Sequence, residues 1–168
     1  MAKHTKYIIY TDGSCLYSDH RRPGAWGYCI LLKGQPVSIK TGCEINTTNN
    51  RMEMKAVLNS FKRVSHVLGN DTSLMQESSI RVYSDSQYVV NGYMKWYDNW
   101  IANKKDDIKN PDLWMEMKEI GSKFHKVELK WVRGHSGNKW NEFIDDRCTK
   151  RVYKDKDSDY ALVDIKKA

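Results

Sequence analysis

The spacing of apolar residues between positions 54 and 64 places the strongest constraint on the fold. These residues recur every three or four positions along the segment: Met54, Val57, Leu58, Phe61 and Val64. This spacing predicts an amphipathic helix of about four turns that buries one face against a core, with Asn50 as its N-cap. The residues before this helix have the character of β-strands, so its apolar face requires a sheet to cover.

The remaining pattern predicts an α/β fold with the element order β-β-β-α-β-α-α-β-α. We expect strands at 6–11, 25–32, 37–43, 80–83 and 127–132 and further helices at 84–96, 111–124 and 139–154. Strands that are joined through helices tend to pair in parallel, whereas the opening hairpins pair antiparallel. The result is a mixed five-stranded sheet flanked by helices. In such sheets, functional groups gather at the carboxyl ends of the parallel strands.

The length and charge of the chain indicate one basic domain. The chain has 168 residues, and we expect one folded domain over 1–155 and a tail over 156–168. Lys and Arg number 28 against 21 Asp and Glu, a net charge of +7. Such a surplus favours a polyanionic partner, with nucleic acid the first candidate.

Targeting signals and paired cysteines are both missing from the pattern. No apolar run approaches the length needed to cross a bilayer, and the first residues do not resemble a signal peptide. The four cysteines form no C-x-x-C pair: Cys15, Cys29, Cys43 and Cys148. We therefore expect reduced thiols, no structural zinc, no membrane association and a cytoplasmic location.

Four carboxylates occur where the carboxyl-end rule predicts a site. Asp12 is expected to end the first strand and Asp85 the fourth, Glu53 lies in the first turn of the first helix, and Asp145 lies in the last helix. Each has a local alternative. Asp12 also fits a turn with Gly13, Glu53 a capping box after Asn50, Asp85 the start of a helix capped by Ser84, and Asp145 a surface charge.

The last helix bears on the position of Asp145. Its predicted buried stripe contains Trp140, Phe143, Ile144 and Cys148, which leaves Asp145 on another stripe, together with Asn141, free to point at a site.

If the four carboxylates converge, their mutual repulsion has to be cancelled by a cation. Oxygen ligands favour Mg²⁺ or Mn²⁺ over Zn²⁺, and two such ions can hold the attacking and leaving oxygens of a phosphoryl displacement. A basic chain with an acidic metal site is what a nuclease requires.

Several sequence blocks resemble type 1 ribonuclease H. The blocks occur in the order of that family and extend over about residues 5–153: Thr11-Asp-Gly-Ser-Cys15, Thr47-Thr-Asn-Asn-Arg-Met-Glu53, Tyr83-Ser-Asp-Ser-Gln-Tyr88, Gly134-His-Ser-Gly137 and Asn141-Glu-x-x-Asp145. The resemblance implies strand order 3-2-1-4-5 with the first three strands antiparallel. It also implies an endonuclease that uses two Mg²⁺ ions to cut the RNA strand of an RNA–DNA hybrid, leaving 5′-phosphate and 3′-hydroxyl ends.

The same resemblance assigns roles to individual positions. Asp12, Glu53, Asp85 and Asp145 match the four metal-binding carboxylates of the family. His135 matches a loop histidine that assists proton transfer or product release, and Glu142 matches an acid that modulates the second metal. The positions that match substrate contacts are Ser14, Cys15, Thr48, Asn49, Asn50, Arg51, Gln87, Trp96 and Trp100.

Some of these contacts have structural alternatives. Asn49 and Asn50 also fit the start of a helix, and Trp96 and Trp100 also fit core packing. The positions that match groove contacts of the family, where the 2′-hydroxyl distinguishes RNA from DNA, are Ser14, Cys15, Asn49, Asn50 and Gln87.

The chain departs from the family pattern in two segments. Many bacterial members carry a long basic protrusion after the second helix, but residues 101–110 are short and hold three lysines against two aspartates. The loop 16–23 is longer than usual, and its Arg21 and Arg22 are candidates for contacts with backbone phosphates, with a solvated loop as the alternative.

Three functions are compatible with these features. The first is the Mg²⁺-dependent hybrid endoribonuclease, acting as a monomer without a small-molecule cofactor. The second is a non-catalytic hybrid-binding module, which retention of all four carboxylates disfavours. The third is a related polynucleotidyl transferase or DNA nuclease, which the Thr47–Glu53 block and the loop 134–137 disfavour.

Overall fold

The computed structural model describes residues 4–134 and 137–156, the last four of them by their backbone alone. His135 and the predicted tail from residue 157 onward therefore lie outside the described residues. The described part contains five strands, β1 to β5, at Thr5–Cys15, Gly24–Leu32, Gln35–Glu44, Ser78–Ser84 and Lys126–Trp131. The α-helices α1 to α6 are at Asn49–Val67, Thr72–Gln76, Gln87–Asn91, Tyr97–Ala102, Pro111–Gly121 and Lys139–Lys156, with a π-helical turn at Gly92–Trp96.

The strands form one mixed sheet in the order β3-β2-β1-β4-β5. β1 pairs antiparallel with β2 and β2 with β3, whereas β4 pairs in parallel with both β1 and β5. The predicted fold class and strand order are therefore confirmed. The parallel strands β1 and β4 lie side by side in the centre, so their carboxyl ends meet at one edge.

Helix α1 covers one face of the sheet with the predicted apolar stripe, and Met54, Val57 and Phe61 are fully buried. Its N-cap is Thr48 rather than the predicted Asn50, because the Thr48 hydroxyl accepts the backbone N–H of Arg51. The helix therefore begins at Asn49, and Glu53 lies in its second turn instead of its first. The capping-box interpretation of Glu53 is wrong for the same reason.

Strand β1 does not end at Asp12, as the Asp-Gly pair had suggested. It continues to Cys15, with Gly13 opposite Trp26 and Ser14 opposite Ala25. Strand β2 is long enough to pair with these residues. Its backbone therefore makes the hydrogen bonds that a turn would otherwise have to make within itself.

The segment after β4 also differs from the prediction. Ser84 is the last residue of β4, and the cap of α3 is Ser86, whose hydroxyl accepts the N–H of Val89. The predicted single helix is divided by the π-helical turn and then runs on to Ala102, beyond its expected end. A short helix that the sequence did not reveal, α2, is capped by Asp71.

Helix α6 packs on the opposite face of the sheet through Ile144, Cys148 and Val152. Trp140 and Phe143, expected in the buried stripe, are only half-buried, whereas Asn141 is buried. The inward stripe is therefore rotated toward Asn141. Within the residues that the structure describes, no helix is long and apolar enough to cross a membrane.

Candidate active site

Three of the four predicted carboxylates come together at the central edge of the sheet. Asp12 comes from β1, Glu53 from α1, and Asp85 directly follows β4, and one carboxylate oxygen of each lies within 4.8 Å of the others. Asp12 and Glu53 are 4% and 7% exposed, and Asp85 is half-buried. Three acids from three separate elements thus share one small volume.

The Glu53 carboxylate is held by two hydrogen-bond donors. The backbone N–H of Gly13 donates to Oε1 at 3.0 Å, and the Ser84 hydroxyl donates to Oε2 at 3.5 Å. Gly13 is required at this point because a Cβ would fall 2.4 Å from Met52 C and Glu53 N. The backbone of α1 therefore touches β1 directly, which brings Glu53 beside Asp12.

Asp145 lies at the border of this cluster. It is half-buried on α6 and falls outside the group of three, but it lies close enough to raise the pKa of both Asp12 and Asp85. The next turn of α6 is also tied to β1, because the Cys148 thiol donates to the carbonyl oxygen of Asp12 at 3.6 Å. The fourth predicted ligand therefore lies near Asp12 and Asp85.

The environment of the cluster disfavours uncompensated negative charge. Burial, followed by the charge of Asp85 and the contact with Asp145, raises the pKa of Asp12 well above its usual value. Burial and then the charges of Asp12 and Asp85 do the same to the pKa of Glu53, and burial with the charge of Asp145 raises that of Asp85. A divalent cation would remove this penalty.

The donor set fits a hard cation. All of its atoms are carboxylate oxygens, which are the ligands that Mg²⁺ and Mn²⁺ prefer. The nearby Cys148 is no competing ligand, because burial raises the pKa of its thiol well above the usual value and keeps it protonated.

The structure adds Trp131 to the site, a residue that the motif analysis missed. Its indole N–H donates to the carbonyl oxygen of Asp85 at 3.1 Å, and the ring is 47% exposed. Trp131 ends β5 and is in register with Ser84 at the end of β4. Applying the carboxyl-end rule to the fifth strand would have identified it.

The loop that contains His135 approaches the cluster through Gly134 and is bonded to α6 through Gly137. A Cβ on Gly134 would lie 3.3 Å from Asp85 Oδ2, and the backbone N–H of Gly137 donates to Glu142 Oε1 at 3.2 Å. Glu142 is exposed in the first turn of α6. It therefore anchors the end of this loop.

Most of the predicted polar contacts surround the cluster on the surface. Asn49, Asn50 and Gln87 are exposed and Ser14 is half-buried. Cys15 differs, because it is buried and its thiol donates to the carbonyl oxygens of Arg22 and Thr47. Its thiol is thus directed at the protein backbone, which disfavours the predicted substrate contact.

Arg51 is already engaged with protein acceptors. Its guanidinium donates to both carboxylate oxygens of Asp112, at 3.1 and 2.8 Å, and to Asn110 Oδ1 at 3.2 Å. Asn110 and Asp112 were absent from the predicted site, although the Asn-Pro-Asp sequence at a helix start marks them. A phosphate at Arg51 would compete with Asp112.

The two candidate arginines of the 16–23 loop differ in their environment. Arg21 makes a two-pronged ion pair with Asp19, at 3.1 and 3.0 Å. Arg22 donates instead to the neutral side chain of Asn46, which precedes α1. Arg21 is thus neutralised by an ion pair, whereas the described side-chain partner of Arg22 carries no charge.

The tryptophan pair is also divided. Trp96 is 40% exposed, whereas Trp100 is half-buried and packs edge-on against buried Trp114, with ring centroids 6.2 Å apart. The core-packing alternative therefore describes Trp100, and Trp96 presents its ring to solvent.

The fold, the acidic cluster beside β1 and β4 and the relatives that follow identify a nuclease of the hydrolase class. The RNase H family model matches residues 4–153, and the chain belongs to this family. It is 39% identical over 150 residues to the ribonuclease H of Thermoanaerobacter sp. (strain X514), covering 86% of this chain and 88% of that protein. It is 36% identical over 155 residues to the ribonuclease H of Francisella philomiragia subsp. philomiragia, covering 89% and 93%.

Solved structures agree with this assignment. LC9-RNase H1, described as a type 1 RNase H with the type 2 active-site motif, superposes with a TM-score of 0.72 at 27% identity, covering 90% of this chain and 74% of that one. A foamy viral protease-reverse transcriptase in complex with dsDNA also gives a TM-score of 0.72, at 17% identity and covering 89% and 96%. The second likeness concerns the fold alone.

Proposed function

We propose that this chain is an endoribonuclease that hydrolyses the RNA strand of RNA–DNA hybrids and leaves 5′-phosphate and 3′-hydroxyl ends. The observation that carries the proposal is the buried cluster of Asp12, Glu53 and Asp85, whose oxygens lie within 4.8 Å of one another in a basic chain of the RNase H family. Buried acids at this spacing are costly unless they bind cations. Metal binding therefore explains the cluster, whereas a contribution to the stability of the fold does not.

Asp12, Glu53, Asp85 and the adjacent Asp145 would hold two Mg²⁺ ions, with Mn²⁺ as a possible substitute. When bound, such ions supply an activated water and charge stabilisation for the leaving 3′-oxygen. The protein keeps its ligands in place beforehand. Gly13 and Ser84 fix the carboxylate of Glu53, and Trp131 holds the backbone of Asp85.

His135 is proposed to move a proton during hydrolysis or product release, since a histidine titrates near neutral pH. Glu142 would modulate the second metal ion. Its contact with the N–H of Gly137 supports this assignment, because it connects the acid to the end of the histidine loop.

Recognition of the hybrid is proposed to use the polar surface around the cluster. Asn49, Asn50, Gln87 and Ser14 would read the RNA strand through its 2′-hydroxyls, and their exposure supports this. Thr48 and Arg51 would hold a phosphate of the DNA strand, and exposed Trp96 would contact the same strand. We expect residues 1–155 to act as a monomer in the cytoplasm, without a small-molecule cofactor.

A cleavage assay with four labelled substrates tests the proposal. In Mg²⁺, the enzyme should cut an RNA–DNA hybrid but not single-stranded RNA, double-stranded RNA or double-stranded DNA, and EDTA should stop the reaction. Binding without cleavage in Mg²⁺ or Mn²⁺ would instead identify a hybrid-binding module. Equal cutting of DNA would identify a DNA nuclease.

Neighbouring acids on α6 provide a matched pair of variants. Asp145→Asn should abolish cleavage, because Asp145 borders the cluster. Asp146→Asn should retain it, since exposed Asp146 pairs with Lys150 at 2.9 Å on the surface. Equal activity of the two variants would refute the role of Asp145.

A further inference from the structure

A groove runs from the proposed phosphate contact Arg51 along α1, with the edge strand β3 on one side and α5 beside its first part. It consists of two cavities of about 290 and 240 Å³ that share the lining residues Trp26, Asn59 and Lys62. The first cavity includes Arg51 near the start of α1, and the second reaches His66 near its end. At about 1.5 Å per helical residue, these two positions are about 22 Å apart along α1. We call this surface the α1–β3 groove.

Positive charge is concentrated in the second cavity of the groove. The cations Lys40, Lys62 and Arg63 line it and are exposed. Among the described residues, only Lys62 has an ion-pair partner there, at 3.2 Å from Glu116. The first cavity differs, because its Arg51 and Lys55 pair with Asp112 and Glu44. The unpaired cations thus lie at the end of the groove away from the acidic cluster.

An aromatic ring lies where the two cavities meet. A Cβ at Gly42 would fall 2.3 to 2.7 Å from three atoms of the Trp26 indole, so the ring lies across the glycine of the neighbouring strand. The Trp26 ring also stacks against Tyr28, with a centroid distance of 6.2 Å and an interplanar angle of 16°. Gly42 permits this close approach. The half-buried Trp26 ring lines both cavities of the groove.

Proteins bind single-stranded nucleic acids with cations that contact the phosphate backbone and aromatic rings that stack on the bases. We propose that the α1–β3 groove binds a single-stranded extension of the DNA strand where it leaves the hybrid. This inference rests on the proposed function, because the groove begins at Arg51, the residue assigned to a DNA phosphate. Lys40, Lys62 and Arg63 contact phosphates, and Trp26 stacks on a base.

Binding of matched hybrids tests the groove. A blunt hybrid is compared with hybrids that carry six extra nucleotides on the DNA strand, at either end, and with the same extensions on the RNA strand. A DNA extension at one end should tighten binding by the wild-type chain about tenfold. In Lys40→Ala/Arg63→Ala, the gain should disappear and the salt dependence of log Kd for the extended hybrid should fall by about 1.4, as expected for two lost single-strand contacts. Binding of the blunt hybrid should not change.

Lys123→Ala/Lys126→Ala is the matched control, because it removes the same charge from an exposed surface at the β5 side of the sheet. Loss of the extension effect in the control, its retention in Lys40→Ala/Arg63→Ala, or a gain from RNA extensions alone would overturn the proposal. Poly-glutamate should compete poorly with the DNA extension, and equal competition would show an acidic-peptide site instead. Cleavage of the blunt hybrid in Mg²⁺ reports the proposed function separately, so the two failures are distinguishable.

The role of Trp26 has its own readout. Trp26→Phe retains a ring that can stack, whereas Trp26→Leu retains only apolar bulk. Base stacking predicts that the phenylalanine variant keeps most of the extension effect and that the leucine variant loses about tenfold, within the range measured for base–aromatic contacts. Equal extension effects in both variants would rule out stacking.

Discussion

The backbone N–H of Gly13 donates a hydrogen bond to Glu53 Oε1 at 3.0 Å. Because Asp12 immediately precedes Gly13, this bond fixes two acids from different elements relative to each other. It also explains why α1 approaches β1 so closely that a side chain at position 13 has no space. The spacing of the acidic cluster thus depends on a residue that carries no functional group.

Gly13→Ala should damage both the fold and the site. The new methyl group would meet backbone atoms of Met52 and Glu53, which cannot move aside as a side-chain end can. We expect a loss of about 3 kcal/mol in the free energy of unfolding, at the upper end of overpacking effects, measured by urea denaturation. Cleavage should fall at least a hundredfold even where the variant is folded. Gly34→Ala is the control: it meets no neighbouring atom and is strained only by the positive φ of 78°, so it should lose less stability than Gly13→Ala and remain active.

Asp12→Asn should remove activity and yet stabilise the protein in EDTA. Burial and the neighbouring acids raise the pKa of Asp12, so its charged form is unfavourable without a cation. A neutral amide avoids that cost, and we expect a gain of about 1 kcal/mol in thermal unfolding experiments. Mg²⁺ should raise the Tm of the wild type more than that of the variant. A variant that is less stable than wild type in EDTA would show that repulsion is not the dominant effect.

The fold could be predicted from the sequence because its patterns are local. The stripe from Met54 to Val64 and the alternating β and helical patterns were sufficient for the five strands and the longer helical segments, although not for α2, and the family resemblance implied the strand order that the sheet shows. The predictions are wrong where a partner that is distant in the sequence determines the local structure. Asp12-Gly13 is a common turn pair, but β2 keeps it in a strand. Ser84 is a plausible cap, but pairing with β5 keeps it in β4.

The acids of the site could be located for the same reason, since the carboxyl-end rule connects strand order to position. Contacts between residues that are far apart in the sequence could not be predicted in this way. The pairing of Arg51 with Asp112 joins α1 to α5, and that of Trp131 with Asp85 joins β5 to the end of β4. Local sequence can mark Asp112 and Trp131 as residues at the ends of elements, but it does not identify their partners, because each pairing depends on how the elements pack.

The start of α1 offers a test that separates capping from substrate contact. Thr48→Ala removes the hydroxyl that accepts the N–H of Arg51 and should cost about 1 kcal/mol in the free energy of unfolding. Asn50→Ala leaves the cap in place and should not lower stability, but it should weaken binding of the hybrid relative to a DNA duplex. Denaturation and binding measured on both variants check this. A larger stability loss in Asn50→Ala would restore the sequence-based assignment of the cap.

The loop 16–23 should contribute one effective cation to hybrid binding rather than two. Asp19 neutralises Arg21, and the same ion pair holds the pKa of Asp19 well below its usual value. Arg22 bonds to Asn46, next to the start of α1, where the proposed DNA contacts lie. Arg22→Asn, chosen because Asn tolerates the positive φ of 45° at this position, should lower the salt dependence of log Kd by about 0.9. Arg22→Lys should restore it, and Arg21→Gln should leave it unchanged. Equal changes in the Arg21 and Arg22 variants would show that the loop acts through its overall charge and not through a contact made by Arg22.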